Sequence, residues 1–388
     1  MRGLLIFLIV GVCGLYAQQA ERLFGLPYGE CNDCIAMNLH EGAGVGWFAV
    51  DPSGTRFYLR DGEGRIHILD RTGKPIARFT SPVPVGIVGV ADDGSIVAVG
   101  EFQPISRRDK VGFPRQIWVI NPDGSIDETR TEGFNRALER FRTEQNRGAD
   151  CSPMIAFLTQ NRLGLLVSAP VSFSADGEAR LDQQTGLLIL KADGSWEGLY
   201  PAIAASKRGS ILEDPSLRSL EAQQEWIRRT LSPQTQASYK IADETGDEYK
   251  RDRAPVYPAE MQAQRVSLGG TRLASYTLQI GKAGVLLIEP GARMDERGRL
   301  YLPGAKTERA LRPLRLNQSG ELELLDGYVV ARFLPDGRFE GIVAEIAIPT
   351  YHCHPRQLWD IDSVGNLYFL KFTATGVEVW MVPAPASK

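Results

Sequence analysis

FAVDPSGTRFYL (48–59) is a short apolar strand, a turn of the form Asp-x-x-Gly, and a second strand rich in aromatic residues. The turn chemistry is local: an Asp or Asn oxygen caps the reversal, and Gly takes the positive φ that a hairpin needs. The same shape returns in GVADDGSIVAV (89–99), ARMDERGRLYL (292–302) and WDIDSVGNLYFL (359–370), with a looser copy in AFLTQNRLGLLV (156–167). Second hairpins are read in IHILDRTGKPIARF (66–79), IWVINPDGSIDETR (117–130), LLILKADGSWEGLY (187–200) and VARFLPDGRFEGIV (330–343). Two hairpins in tandem make a four-stranded antiparallel unit, and such units every ~40–50 residues are the mark of β-propeller blades. Asp51 and Asp92 stand 41 residues apart, within that period. A β-sandwich also has many short strands, but it does not normally repeat paired hairpins of one sequence type.

At DPSGTRFY (51–58), DERGRLY (295–301) and DSVGNLY (362–368) the chain resembles the secreted six-bladed propellers of the NHL-repeat and TolB-like superfamily. The resemblance runs from about residue 45 to the C-terminus and is specific to an architecture rather than to an activity. It implies an all-β fold of six four-stranded blades. Five units are clear, and the sixth is placed in RVSLGGTRLASYTLQIGKAGVLLI (265–288), with five or seven blades as the alternatives. The superfamily contains binding scaffolds, lactonases and lyases. Its lactonases hold calcium in the central channel with Glu, Asn and Asp, for which Glu101, Asn161 and Asp360 are available here without a secure alignment.

The chain has 388 residues, is 43% hydrophobic and 23% charged, and carries a formal net charge of −3, which excludes disorder and a dedicated nucleic-acid binder. Arg2, the apolar run LLIFLIVGVCGLY (4–16) and Ala17 have the layout of a signal peptide over 1–17. The run is shorter than the ~20 residues that span a bilayer, so no membrane span is expected after cleavage. The alternatives are an uncleaved anchor and lipidation at Cys13, which Val12 disfavours. The expected location is extracytoplasmic, either periplasmic or secreted.

Removal of the leader leaves Cys31, Cys34, Cys151 and Cys353, an even number that reads as two disulfides in an oxidising compartment, with three pairings open. CNDC (31–34) has a redox spacing, but Pro27, Gly29 and Gly42 place it in a loop rather than at a helix start. The division expected is a segment 18–44 holding this CxxC, then a propeller over 45–388. A helical and loop insertion at 201–262 would separate the third and fourth units. Within it, Asp214 and Pro215 start a helix that places Leu217, Leu220, Ile227 and Leu231 on one face. A smaller helix is read in FNRALERFRTEQNRGADC (134–151). Both insertions are either functional lids or covers for an exposed blade edge.

YHCHPR (351–356) packs His352 and His354 round Cys353 and, with His40, Cys31 and Cys34, supplies the residue types of a zinc set. An extended segment would aim His352 and His354 to opposite faces, so a disulfide at Cys353 is the plainer reading. His67 falls within a strand pattern and reads as a surface side chain. No GxSxG, HExxH, GxxxxGK[ST] or post-strand GxGxxG is present, so no catalytic residue is assigned. Arg107, Arg108 and Arg115 lie in a locally basic stretch and Trp226 in the large insertion, residue types that anchor interfaces. The expected function is a scaffold that binds a protein or carbohydrate ligand and requires no cofactor. The alternative is a metal-dependent, lactonase-like hydrolase using calcium or zinc at the channel.

Overall fold

The computed structural model describes residues 20–31, 33–37, 44–81, 85–100, 116–145, 154–167, 171–173, 179–181, 183–230, 260–283, 286–287, 291–306, 324–349 and 358–386. Two α-helices accompany a set of antiparallel sheets among these residues, and none of the described helices is long and apolar enough to cross a membrane.

The strands fall into consecutive units, each running from an inner to an outer strand. The first is Trp47–Val50, Arg56–Arg60, Arg65–Asp70 and Pro75–Thr80. The second has Val85–Val90, Ile96–Gly100 and Ile117–Ile120. The third has Met154–Leu158, Arg162–Val167, Gly186–Lys191 and Trp196–Tyr200, with a small hairpin of Val171–Phe173 and Ala179–Leu181 in its middle connection. The fourth is Ala202–Ala205, Ile211–Glu213, Met261–Val266 and Arg272–Leu278. The fifth is Arg293–Met294, Leu300–Ala305, Leu324–Phe333 and Phe339–Pro349. The last is Trp359–Ile361, Leu367–Phe372 and Gly376–Val382, completed on the outside by the N-terminal strand Glu21–Pro27.

The inner strands make a ring. That of the first unit lies against those of the second and the last; the second touches the third, and the third touches the fourth. The fourth and fifth share a parallel bridge, Ala205 to Arg293, and Arg293 Nη2 donates to Trp359 O of the last inner strand at 3.0 Å. The apolar core accordingly lies in wedges between neighbouring sheets. One cluster joins Ile66 and Ile68 to Ile96 and Ala98, another Leu188 and Leu190 to Val97 and Val119, and a third Leu187 and Ile189 to Ile211 and Val266. Further clusters fill the spaces between the fourth and fifth units and from the fifth through the last to the first. Sheets packed on both faces in this radial order constitute a propeller-type fold.

Three expected boundaries change. The last sheet takes in Glu21–Pro27, so the fold begins within the segment 18–44 rather than at 45. Strands Ala202–Ala205 and Ile211–Glu213 lie inside the expected 201–262 insertion and pair with Met261–Val266. The insertion is therefore shorter and splits the fourth unit instead of preceding it. Residues 265–278, part of the stretch read as a sixth unit, belong to the outer hairpin Met261–Leu278 of that same fourth unit.

Helix α1 (Glu128–Glu144) starts earlier than expected, because Asp127 caps it by accepting from Arg130 N, and it stands where a fourth strand of the second unit was expected. Its side chains satisfy the strand edge it covers: Thr131 Oγ1 accepts from Val119 N at 3.0 Å, while Asn135 accepts from Ile117 N and donates to Ile117 O. Phe134, Leu138 and Phe141 complete the wedge against the third unit. This helix covers an edge that would otherwise expose unpaired backbone groups. Helix α2 (Leu220–Thr230) follows a 3₁₀ turn, Pro215–Leu217, that Asp214 caps. Gln223 and Gln224 of α2 bond the backbone of Thr185 and Leu181 in the third unit.

The inner turns of five units repeat one hydrogen-bond pattern. Gly54, Gly94, Gly209, Gly298 and Gly365 each donate N–H to the carbonyl three residues back. The tyrosine of one unit then reaches the turn of the next: Tyr58 Oη donates to Gly94 O at 3.3 Å and Tyr301 Oη to Gly365 O at 2.7 Å. Across the ring closure, a Cβ at Gly54 would stand 2.7 Å from Tyr368 Oη, whose hydroxyl donates instead to Asp362 Oδ2 at 3.0 Å in its own unit. Gly365 has φ +89°, and a Cβ there would meet Asp295 and stand 2.7 Å from Tyr301 Oη, whereas Gly270 at φ +80° has nothing within 4 Å. Gly365→Ala should thus lower stability by about 2–4 kcal/mol, combining left-handed strain with a clash, and Gly270→Ala by about 1–2 kcal/mol from strain alone. Equal urea midpoints for the two variants would disprove the stitching role.

Candidate functional site

Four inner elements converge on Asp360, which alternates with Trp359 and Ile361 on the inner strand of the last unit. Asp360 is 2% exposed. Its Oδ2 accepts from Lys207 Nζ at 2.6 Å and from Val50 N at 2.8 Å, and its Oδ1 lies 3.1 Å from Arg293 Nη1. Lys207 comes from the inner turn of the fourth unit and also donates to Val50 O. Arg293 belongs to the fifth unit, and its guanidinium carbon lies 4.9 Å from the centroid of the Trp359 ring. The first, fourth, fifth and last units therefore share one ion cluster at the axis.

Burial pushes the Asp360 carboxyl upward, but Arg293 and Lys207 outweigh it and hold the group below the usual carboxylate range. Burial pulls the Lys207 ammonium down, and Asp360 offsets only part of that effect. The Asp360 carboxylate is thus shared by two cations, and Asp51 adds a second favourable negative charge to Lys207. Both Asp360 oxygens are engaged, so the group expected to serve calcium is committed to its own neighbours. Asn161 lies exposed in the inner turn of the third unit, and Glu101 falls outside the described residues.

A second polar centre joins the chain's start to the first unit. The Asp61 side chain is fully buried; its Oδ2 binds Arg65 Nε at 2.7 Å and His67 Nε2 at 2.9 Å, while Oδ1 accepts from the N–H groups of Glu63 and Arg65. Ala36 N donates to Asp61 Oδ2 at 3.4 Å, and Gly62 N donates to Ala36 O at 3.0 Å. His67, expected on the surface, is 4% exposed, because Asp61 supplies the partner that makes its burial tolerable. Burial opposes ionisation of Asp61, but bonds from His67 and Arg65 lower its pKa from 3.8 to about 2.

Cys31 and Cys34 are joined to each other by a disulfide. Neither can then bridge to Cys151 or Cys353, and Cys31 and Cys34 are taken from the expected zinc set. Cys151, Cys353, His40, His352, His354, Arg107, Arg108 and Arg115 fall outside the described residues. Among the described residues no group of three or more His, Cys, Asp or Glu is placed to hold a metal ion. Trp226 is half-buried on α2. Lys207 and Arg293 carried no motif in the sequence; the SKRGS turn (206–210) was the signal for the first, had Ser206 been read in the place of Asp.

The chain is similar in structure to a protein provisionally described as TolB from Agrobacterium tumefaciens, with 10% identity, 89% of this chain and 96% of that one covered, and a TM-score of 0.38. An uncharacterized protein of Listeria monocytogenes EGD-e matches with 10% identity over 79% of this chain and 69% of that one, at a TM-score of 0.34. The Dos1 propeller matches with 10% identity over 86% and 78%, also at 0.34. No protein-family model and no curated protein matches the sequence.

Asp360→Asn should lower stability by about 3–5 kcal/mol, since it strands two cations, and Lys207→Met by less than half as much, since Arg293 and Val50 N remain on the carboxylate. A larger loss for Lys207→Met in urea unfolding would sink this account of the cluster. Asp61 is depressed in the folded state, so its contribution is full above pH ~4 and is lost as pH falls toward ~2. Asp61→Asn should remove that part of the acid limb, read as a flatter stability profile over this interval.

Proposed function

We propose that the chain is a six-bladed β-propeller acting outside the cytoplasm as a binding scaffold, with its ligand taken on the face from which the long connections leave. The contrast between the two ends of the strands carries this reading. At one end the inner turns of five units share one hydrogen-bond pattern, those of the second and last units are bonded by the unit before, and the axis beside them is occupied by the Asp360 cluster. Because strands alternate in direction, the connection after the second strand of every unit leaves from the other end. Those connections include 101–115 with Arg107, Arg108 and Arg115, the hairpin of the third unit, and the segment of the fourth unit that carries α2 and Trp226.

The cationic and aromatic types on these connections suit an anionic protein face or glycan. The leader-like run 1–17 and the Cys31–Cys34 disulfide support a periplasmic or secreted location. A hydrolase reading would need free metal-binding oxygens at the axis, and those of Asp360 are engaged with Lys207, Arg293 and Val50.

The test replaces Arg107, Arg108 and Arg115 together with Glu. Elution from a sulfated-glycan matrix and from an immobilised acidic protein should move to lower salt on at least one of the two, with an unchanged melting temperature. Unchanged elution from both would overturn the assignment of this face. Stoichiometric calcium uptake by calorimetry together with lactone hydrolysis would replace the scaffold with an enzyme.

A further inference from the structure

We infer that the Cys31–Cys34 disulfide is a thiol-exchange site, attacked at Cys31 by monothiols of the glutathione class, rather than a structural staple. Three observations carry this. The bridge closes a loop of only four residues, where constraint of the unfolded chain contributes least. Its two residues differ in access: Cys31 is exposed, while Cys34 is 7% exposed.

The loop is also held without the bridge. Ile35 N donates to Pro27 O at 2.9 Å, Gly29 N to Ile35 O at 3.1 Å, Tyr28 N to Thr375 O at 3.0 Å and Cys34 N to Cys31 O at 3.1 Å. Arg78 Nη1 reaches Cys31 O at 3.4 Å from the outer strand of the first unit. These bonds tie the loop to the last sheet on one side and to the first unit on the other, so opening the bridge leaves its frame in place and the two sulfurs near each other.

The chemistry is a single exchange. A thiolate attacks Cys31 Sγ, a bond from the incoming sulfur to Cys31 forms, the Cys31–Cys34 bond breaks, and the electron pair leaves on Cys34 Sγ, which takes a proton from water. Attack by a second monothiol on the mixed disulfide releases Cys31 as a thiol. The chain has then accepted two electrons, and the two monothiols leave as their own disulfide. Attack at the exposed sulfur follows from access, since exchange requires the nucleophile to approach along the S–S axis.

The experiment exposes the intact, folded protein to glutathione and quenches with an alkylating agent, and peptide mapping then reads Cys31 and Cys34 separately from Cys151 and Cys353. The 31–34 bridge should open without loss of the folded near-ultraviolet circular dichroism signal, and in the reduced protein Cys31 should alkylate at least tenfold faster than Cys34. Given oxidised glutathione, the Cys34→Ser variant should form one mixed disulfide at Cys31 and release one glutathione thiolate, and Cys31→Ser should leave Cys34 unreactive until denaturant is added. A bridge that opens only on unfolding, or equal labelling of the two thiols in the folded wild type, would overturn the inference. The wild-type measurement decides the matter if either variant fails to fold.

Discussion

A ring of sheets has no free edge at its seam only if the last sheet is completed, and here Glu21–Pro27 does this by pairing along Gly376–Val382. Phe24 of this strand packs edge-to-face on Phe57, which packs in turn on Tyr368, so closure buries an aromatic chain between the last unit and the first. Because the strand comes from the N-terminus and its partners from the last residues of the fold, the seam cannot form until almost the whole chain is available. Such non-local pairing makes for slow folding. The Asp61–Ala36 bonds and the CxxC loop continue the same clasp into the first unit.

The axis poses a second constraint. Inner strands from all units crowd there, and a polar backbone or side chain in that space needs partners that only other units can supply. Asp360 meets this by accepting from the first unit's backbone and pairing with cations from the fourth and fifth. The cluster thereby fixes the relative position of units far apart in sequence. An isolated surface ion pair contributes little, but a buried one broken on one side leaves an uncompensated charge, which makes the arrangement specific rather than merely adhesive.

Much of this architecture was legible because the hairpin turns need Asp and Gly at fixed places, and the inner turns after Val50, Val90, Met294 and Ile361 carry them. The turn at 206–210 was not, because Ser206 Oγ takes the Asp role by accepting from Ser210 N at 2.9 Å. Without it, the stretch 265–288, which contains most of that outer hairpin, reads as a unit of its own. Residues 127–130 were read as strand because a second hairpin was due there, yet Asp127 serves as a helix cap and the helix does the edge-covering work of a strand. Period-two alternation gave little help, since strands such as Trp47–Val50 are buried on both faces. The ion cluster was the least legible part: Asp360 could be picked out as an inner-strand carboxylate, but its partners are distant in sequence and no local pattern marks them.

The two ends of the units differ in how much change they tolerate, and the difference has a physical origin. The inner turns must fit beside one another near the axis, where Tyr58, Tyr301 and Arg299 of one unit bond the turn of the next. An added residue there would displace a neighbour as well as its own hairpin. The connection after each second strand lies further from the axis, and its closure entropy rises only with the logarithm of its length. A tenfold longer connection therefore costs about 2 kcal/mol. The fourth unit shows the outcome: its two hairpins remain paired from Ile211–Glu213 to Gln264–Val266 although the chain between them includes a 3₁₀ turn and α2. Where insertion costs so little, new surface can be added at this end without disturbing the ring, whereas the tight turns tolerate no such growth.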